Sequence, residues 1–306
     1  MSFGTTVMQI VSLFLIMIIG YVLRKCNIFD DASNVRFTRL IIYVSLPAQI
    51  VKAFATNQGI VSNNEVLFMF GISTLAYLLY AVIGFAFNII FRVPKNKKGT
   101  FLFMMMFGNV GFMGFPLTEA LLGEEALIYA VIFNVIFNLL VYSVGILMIS
   151  RKDDEFNFSY KKLLNMPLIS AIVSIILYFC KIQIPEVLIK SLDYMGNVTT
   201  PVAMIILGST IAGMPWKELF DEWRVYIFTI FKLLIIPAVV IVLLKIAPEM
   251  NPLIYGSLIL LSATPVATNT TMLAIEYDGD RTLASKGIFF TTLLCMLTIP
   301  LIQLLV

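Results

Sequence analysis

"FGNVGFMGFPL" (residues 107–117) decides how the rest of the chain is read. It lies inside an apolar stretch running from about Thr100 to Leu122, long enough to cross a bilayer. Within it stand three glycines (Gly108, Gly111 and Gly114), Asn109 and Pro116. Gly and Pro are poor helix-interior residues, and an unpaired amide is costly in hydrocarbon. A span built this way breaks in its middle. The break frees backbone N–H and C=O groups, which are tolerated at that depth only if they line a cavity or hold a ligand.

That the solvent is lipid follows from composition. Of the 306 residues 60% are hydrophobic and 13% charged, and the mean hydropathy is +0.96. A soluble domain cannot hide that much apolar surface. The net charge of +3 is too small and too dispersed for a nucleic-acid partner. Cys26, Cys180 and Cys295 form no CxxC pair and there is no histidine, so they are read as small hydrophobes and no metal or cofactor is expected. The first apolar run has no basic n-region and no small-residue cleavage site, and is read as a retained span.

Apolar runs predict ten spans, at about 5–23, 36–56, 65–91, 100–121, 125–149, 166–183, 189–212, 224–246, 253–275 and 284–305. The expected fold is an all-α polytopic membrane protein. Its longest connector, "SRKDDEFNFSYKKLLN" (150–165), divides residues 1–153 from 154–306. Basic residues gather after the odd-numbered spans: Arg24 and Arg36, Arg92 and Lys98, Arg151 and Lys162, Lys217 and Arg224, Arg281 and Lys286 are examples. Together 16 of the 21 Lys and Arg fall on that side. The positive-inside rule makes it cytoplasmic and places both termini outside a cell membrane. Trp216 and Trp223 flank one of these loops as interfacial aromatics.

Five spans per half is an odd number, so a duplicated half returns inverted. A shift of about 154 residues lays Leu23 on Leu177, Cys26 on Cys180, Ile28 on Ile182 and Pro47 on Pro201. The same shift carries span 4 onto span 9, "LLSATPVATNTTMLAIEY" (260–277), which is interrupted in turn by Thr264, Pro265, Thr268, Asn269, Thr270 and Thr271. Paired breaks in inverted halves point to a binding site at mid-membrane. Pro47, Pro201 and Pro237 are read as kinks, and close helix packing through "GNVG" (108–111) is the competing account of the first break.

At these residues the chain resembles the auxin efflux carrier family, whose bacterial members are often described as malate permeases and whose plant members are the PIN auxin carriers. The resemblance rests on "GNVGFMGFPL", "NMPLISAI" (165–172), "VAMIILGSTIAG" (202–213), "FKLLIIP" (231–237), "ATPVATNTTMLAIEY" and "IFFTTLLCMLTIP" (288–300), and covers nearly the whole chain. It implies two inverted five-helix repeats with crossed broken helices 4 and 9. Spans 1, 2, 6 and 7 would form a scaffold that pairs two protomers. Spans 3–5 and 8–10 would form a transport domain that moves as an elevator. Carried over by residue, it implies substrate contacts at Asn109 and Met113, with Gly114 and Pro116 completing the motif. Pro265 matches the second crossing proline, while Gly108 stands where plant members have the first. Asn197 aligns with an acidic residue of the plant pattern, a departure that bears on coupling.

The substrate this suggests is a small organic anion. Half-helix N-termini and the amides of Asn109 and Asn269 suit a carboxylate, with Gly108, Gly111, Thr264 and Thr270 beside them. The Phe and Met of "FLFMMMFG" (101–108) are candidate apolar walls, or simply core. Lys232 is the one basic residue deep in a span; it either holds a coupling-site charge or an ion pair, or snorkels to the interface. Glu119 and Glu276, near the outer ends of the broken spans, are read as solvated helix ends or proton carriers. Proton coupling, sodium coupling and uniport all stay open. An enzyme would need a nucleophile–base pair or metal ligands in the bilayer, a channel a continuous pore, and a sensor an effector domain. The alternative carriers are a sodium-coupled bile-acid-type protein and a cation/proton antiporter.

Overall fold

The computed structural model describes residues 3–57, 61–150, 166–214, 219–247 and 249–303. The boundary between the proposed halves, Trp216, and the basic residues Arg151, Lys152, Lys161, Lys162 and Lys217 lie outside them. The described residues fold into helices joined by short turns. In chain order these are α1 (Phe3–Lys25), α2 (Asp31–Thr56), α3 (Asn63–Ile90), α4 (Lys95–Met106), α5 (Val110–Leu122) and α6 (Glu124–Ile149). After the connector come α7 (Met166–Phe179), α8 (Glu186–Ala212), α9 (Trp223–Ile246), α10 (Pro252–Ser262), α11 (Asn269–Glu276) and α12 (Arg281–Gln303). Six of them, α2, α3, α6, α8, α9 and α12, are long and apolar enough to cross a bilayer.

Helix α3 shows how lipid replaces water as the outer solvent. Leu67, Leu75, Leu78, Val82, Phe85 and Ile89 form one exposed apolar face. Its opposite face buries smaller or more polar residues, among them Ser73, Tyr77, Tyr80 and Gly84. A helix apolar all round with its polar groups turned inward belongs in a membrane bundle. Lipid tails give no hydrophobic drive between helices, so contact comes from close backbone approach. In α1 and α8 this is direct: a Cβ on Gly20 would strike the Ile205 carbonyl, and one on Gly208 the Met17 carbonyl.

Three proline kinks share one cause. Each follows a five-residue π turn: Pro47 after Ile41–Ser45, Pro116 after Val110–Gly114, and Pro237 after Phe231–Ile235. The residue before each proline donates five residues back, Leu46 to Ile41, Phe115 to Val110 and Ile236 to Phe231. Proline has no N–H to continue the ladder, so the bonding skips a residue there. A fourth π turn, Val141–Gly145, has no proline. Pro201 accompanies an interruption of another kind: it stands in the first turn of the helical segment Thr199–Ala212, and the i−4 carbonyl to which it cannot donate is that of Asn197. The turn itself is at Asn197–Val198.

The ends of α1 and α7 close identically. Ile28 N–H donates to Leu23 C=O and Asn27 to Arg24; Ile182 donates to Leu177 and Lys181 to Tyr178. Asn27 and Lys181 take positive φ, 57° and 54°. These are Schellman caps, the six-to-one bond satisfying an otherwise orphaned carbonyl, and they sit at the positions that the 154-residue shift superposes. The turn also ends α7 at Phe179, short of the expected 183. Cys26 and Cys180 are exposed in these turns, so only the buried Cys295 acts as a core hydrophobe.

Candidate functional site

Both interrupted spans are interrupted in the structure. Residues 107–109 separate α4 from α5, and 263–268 separate α10 from α11. The two breaks meet as a short antiparallel pairing of Gly108 with Val266. Asn109 N–H donates to Pro265 C=O at 2.7 Å, and Ala267 N–H to Phe107 C=O at 3.1 Å. Each break thereby satisfies backbone groups that the other frees. Val266 N–H is taken by the Thr291 hydroxyl of α12 at 3.0 Å. Thr291 was not singled out from sequence. Its hydroxyl partners a backbone group about 25 residues away, and no local pattern signals that.

Asn109, at φ −79° and ψ 64°, is the centre of an inverse γ-turn immediately before α5, and Asn269 is the first residue of α11. Asn109 is 3% exposed. Its Nδ2 has no hydrogen-bond partner, and neither do Oδ1 of Asn269 and Oγ1 of Thr271. Unpaired buried polar atoms are costly and are uncommon in native cores. The other threonines are committed: Thr264 donates to Leu261 C=O and Thr270 to Ala267 C=O, each at 2.6 Å. They offer an anion lone pairs rather than protons. Thr268 precedes α11 without capping it through its side chain.

The remaining motif residues differ in role. Gly108 is required by contact, since a Cβ there would overlap the Thr264 hydroxyl and come 3.5 Å from Lys232 Nζ. Gly111 has open space beside it, whereas a Cβ on Gly114 would lie 2.8 Å from a Leu261 methyl. Gly114 and Pro116 belong to the π turn and the helix after it, not to the break. Met113 is buried against Cys295 of α12, sulfur to sulfur at 3.9 Å. Phe101 to Phe107 are all core. Phe107 is held at the break by Phe103, Tyr77 and Phe137, at centroid distances of 4.6, 6.0 and 5.6 Å.

Lys232 does not snorkel. It is 1% exposed, and its ammonium donates to Met105 C=O at 3.0 Å and lies 5.6 Å from the centre of the Tyr80 ring. Glu119 is likewise no solvated helix end: it is half-buried and accepts the amide of Gln49 at 3.0 Å. One turn beyond, Lys52 bridges Glu124 at 3.0 Å and Asp193 at 2.5 Å. Asn197 donates to that same Asp193. The carboxylate in this region therefore stands four residues before the aligned position. Two open clefts, one lined by Thr56, Asn57, Leu122 and Glu124 and one by Ile72, Ala76, Leu244 and Leu258, include no crossing residue. Gly108, Asn109, Thr264, Pro265 and Val266 are all buried.

A family profile described as membrane transport protein matches residues 5–160 and 155–303. The chain is 28% identical to an uncharacterised transporter of Methanocaldococcus jannaschii, over 96% of this chain and 97% of that one. It is 24% identical to a provisionally named malonate transporter of Rhizobium meliloti, over 85% and 82%. To an uncharacterised transporter of Escherichia coli it is 22% identical, over 96% and 95%.

Proposed function

This chain belongs to the membrane transport protein family, that of the auxin efflux carriers, and on that premise we propose that it carries a small organic anion across a cell membrane by alternating access. It is a transporter and not an enzyme. The observation that carries the anion reading is the crossing itself: α5 begins directly after Asn109, whose buried amide nitrogen is unpartnered, and α11 begins on Asn269, just past the break that pairs with it. Helix N-termini present N–H groups and positive dipole ends, the arrangement that receives a carboxylate. A dicarboxylate such as malonate or malate is the first class to test, since one relative bears the name of a malonate transporter. In this reading ten spans form two inverted repeats, 1–153 and 154–306, supported by the matched caps of α1 and α7. The scaffold is α1, α2, α7 and α8, and the α3–α6 and α9–α12 groups move as the transport domain. Both termini face outward, and two copies pair through the scaffold.

Proteoliposome uptake of radiolabelled malonate, malate and indole-3-acetate under imposed pH and sodium gradients tests the substrate class. The expected result is saturable uptake of at least one dicarboxylate. Asn109→Ala should weaken its binding about ten- to a hundredfold, the cost of about 1–3 kcal/mol for an unmade buried hydrogen bond. Unchanged affinity in folded protein removes Asn109 from the site. Mass photometry in native-lipid nanodiscs should give twice the 34.3 kDa chain mass after correction for the disc, and a monomer there would refute the pairing.

A further inference from the structure

The Lys232 ammonium occupies a position left by the break. In an unbroken helix the N–H of residue 109 would bond to Met105 C=O, the ladder running four residues back. Here Asn109 N–H is diverted to Pro265 C=O, and Lys232 Nζ takes the vacated Met105 carbonyl at 3.0 Å. That carbonyl belongs to the last turn of α4, the negative end of its dipole. Carbonyl ends of half-helices at such crossings are where cation-coupled carriers hold their coupling ion. The Tyr80 ring face adds a second cation-favouring group 5.6 Å away.

Two further features fit a cation that is built in. Gly108 is its immediate neighbour, a Cβ built there lying in van der Waals contact with Nζ at 3.5 Å. The π turn Phe231–Ile235 carries Lys232 as its second residue, so the phase shift of the helix aims it inward. Among the described residues no carboxylate lies within ion-pair distance of it, and the Asn109 amide in the same break is unpartnered.

We propose that Lys232 is the tethered cation of the transport site: its ammonium fills the place a coupling sodium would otherwise take on the α4 carbonyl end, so an anion is accepted there without sodium. The proposal rests on the anion-carrier reading above only for its last clause. Its test therefore has one arm that needs no substrate. The full chain, purified in nanodiscs, is melted in sodium chloride and in choline chloride at equal ionic strength. Wild type and Lys232→Arg should melt alike in both salts. Lys232→Ser, which removes the charge and leaves an oxygen and space, should melt several degrees higher in sodium. Lys232→Ala serves the same comparison should the serine variant not assemble. In proteoliposomes, wild-type malonate uptake should not depend on sodium; uptake by Lys232→Ser should fall at least tenfold in choline and recover in part in sodium. A wild type stabilised by sodium, or a neutral variant indifferent to it, overturns the proposal. No malonate uptake by any form would count against the substrate class alone, with the melting comparison still deciding on Lys232.

Discussion

At the scale of single residues, Gly108 and Thr264 show how tightly the crossing is made. Backbone pairs with backbone there, and the only side chain that fits opposite the Thr264 hydroxyl is none at all. Gly108→Ala should therefore cost about 1–3 kcal/mol, the usual price of overpacking a filled core. Thr264→Ala removes the obstructing hydroxyl. The double variant should accordingly be more stable than the sum of the two single effects predicts, by at least about 0.5 kcal/mol, as read from a double-mutant cycle of denaturation in mild detergent. Strict additivity would mean that the two residues are not in contact. The free amide of Asn109 belongs to the same scale, because a buried donor without a partner in the chain is available to a ligand's acceptor, as the proposed function requires.

Among the elements, the π turns set direction. The extra residue of Phe231–Ile235 rotates one half of α9 against the other by about a hundred degrees, the angle of one residue in a helix. Pro237 holds that turn open by withholding an N–H. Pro237→Ala restores the donor, and the turn can close to ordinary α spacing. The expected outcome is a melting temperature equal to or above wild type together with malonate uptake reduced at least fivefold, as Lys232 swings out of register with Met105. Full uptake with a lower melting temperature would show that the proline serves stability alone. The sequence already marked Pro47, Pro116 and Pro237 as interruptions, but not their kind, since the choice between a kink and a widened turn depends on where the surrounding helices accept the bulge.

For the whole molecule, the basic side is tied together by acids from one connector. Glu222 accepts Lys97 of α4 and, at 3.0 Å, Arg224 of α9. Asp221 accepts Lys286 of α12, and Arg224 also caps the Phe91 carbonyl beyond α3. Burial pushes the Glu222 carboxyl up, but Lys97 and Arg224 outweigh it and hold it below the ordinary glutamate value. A depressed carboxylate stabilises the fold above its unfolded-state pKa, and that contribution disappears as pH falls through the folded one. The melting-temperature gap between wild type and Glu222→Gln should thus be constant from neutral pH down to the ordinary carboxylate range and shrink below it. A gap that does not change with pH would assign Glu222 a packing role only.

Composition and spacing by themselves determined that the chain is helical and rich in apolar helices suited to a membrane, and that the apolar runs around Asn109 and Asn269 break there. Those features are local: apolar run length, glycine and proline content and charge at the connectors act on the residues that carry them. Three things were decided only by tertiary structure. The breaks pair with each other through backbone, Thr291 closes the second of them, and Lys232 enters the first, where snorkelling had been the competing reading. Each is a contact between residues from 25 to more than 150 positions apart. A backbone group freed in a membrane must find a partner within reach. Sequence shows that the group is free, and only the packing of the other helices shows which partner reaches it.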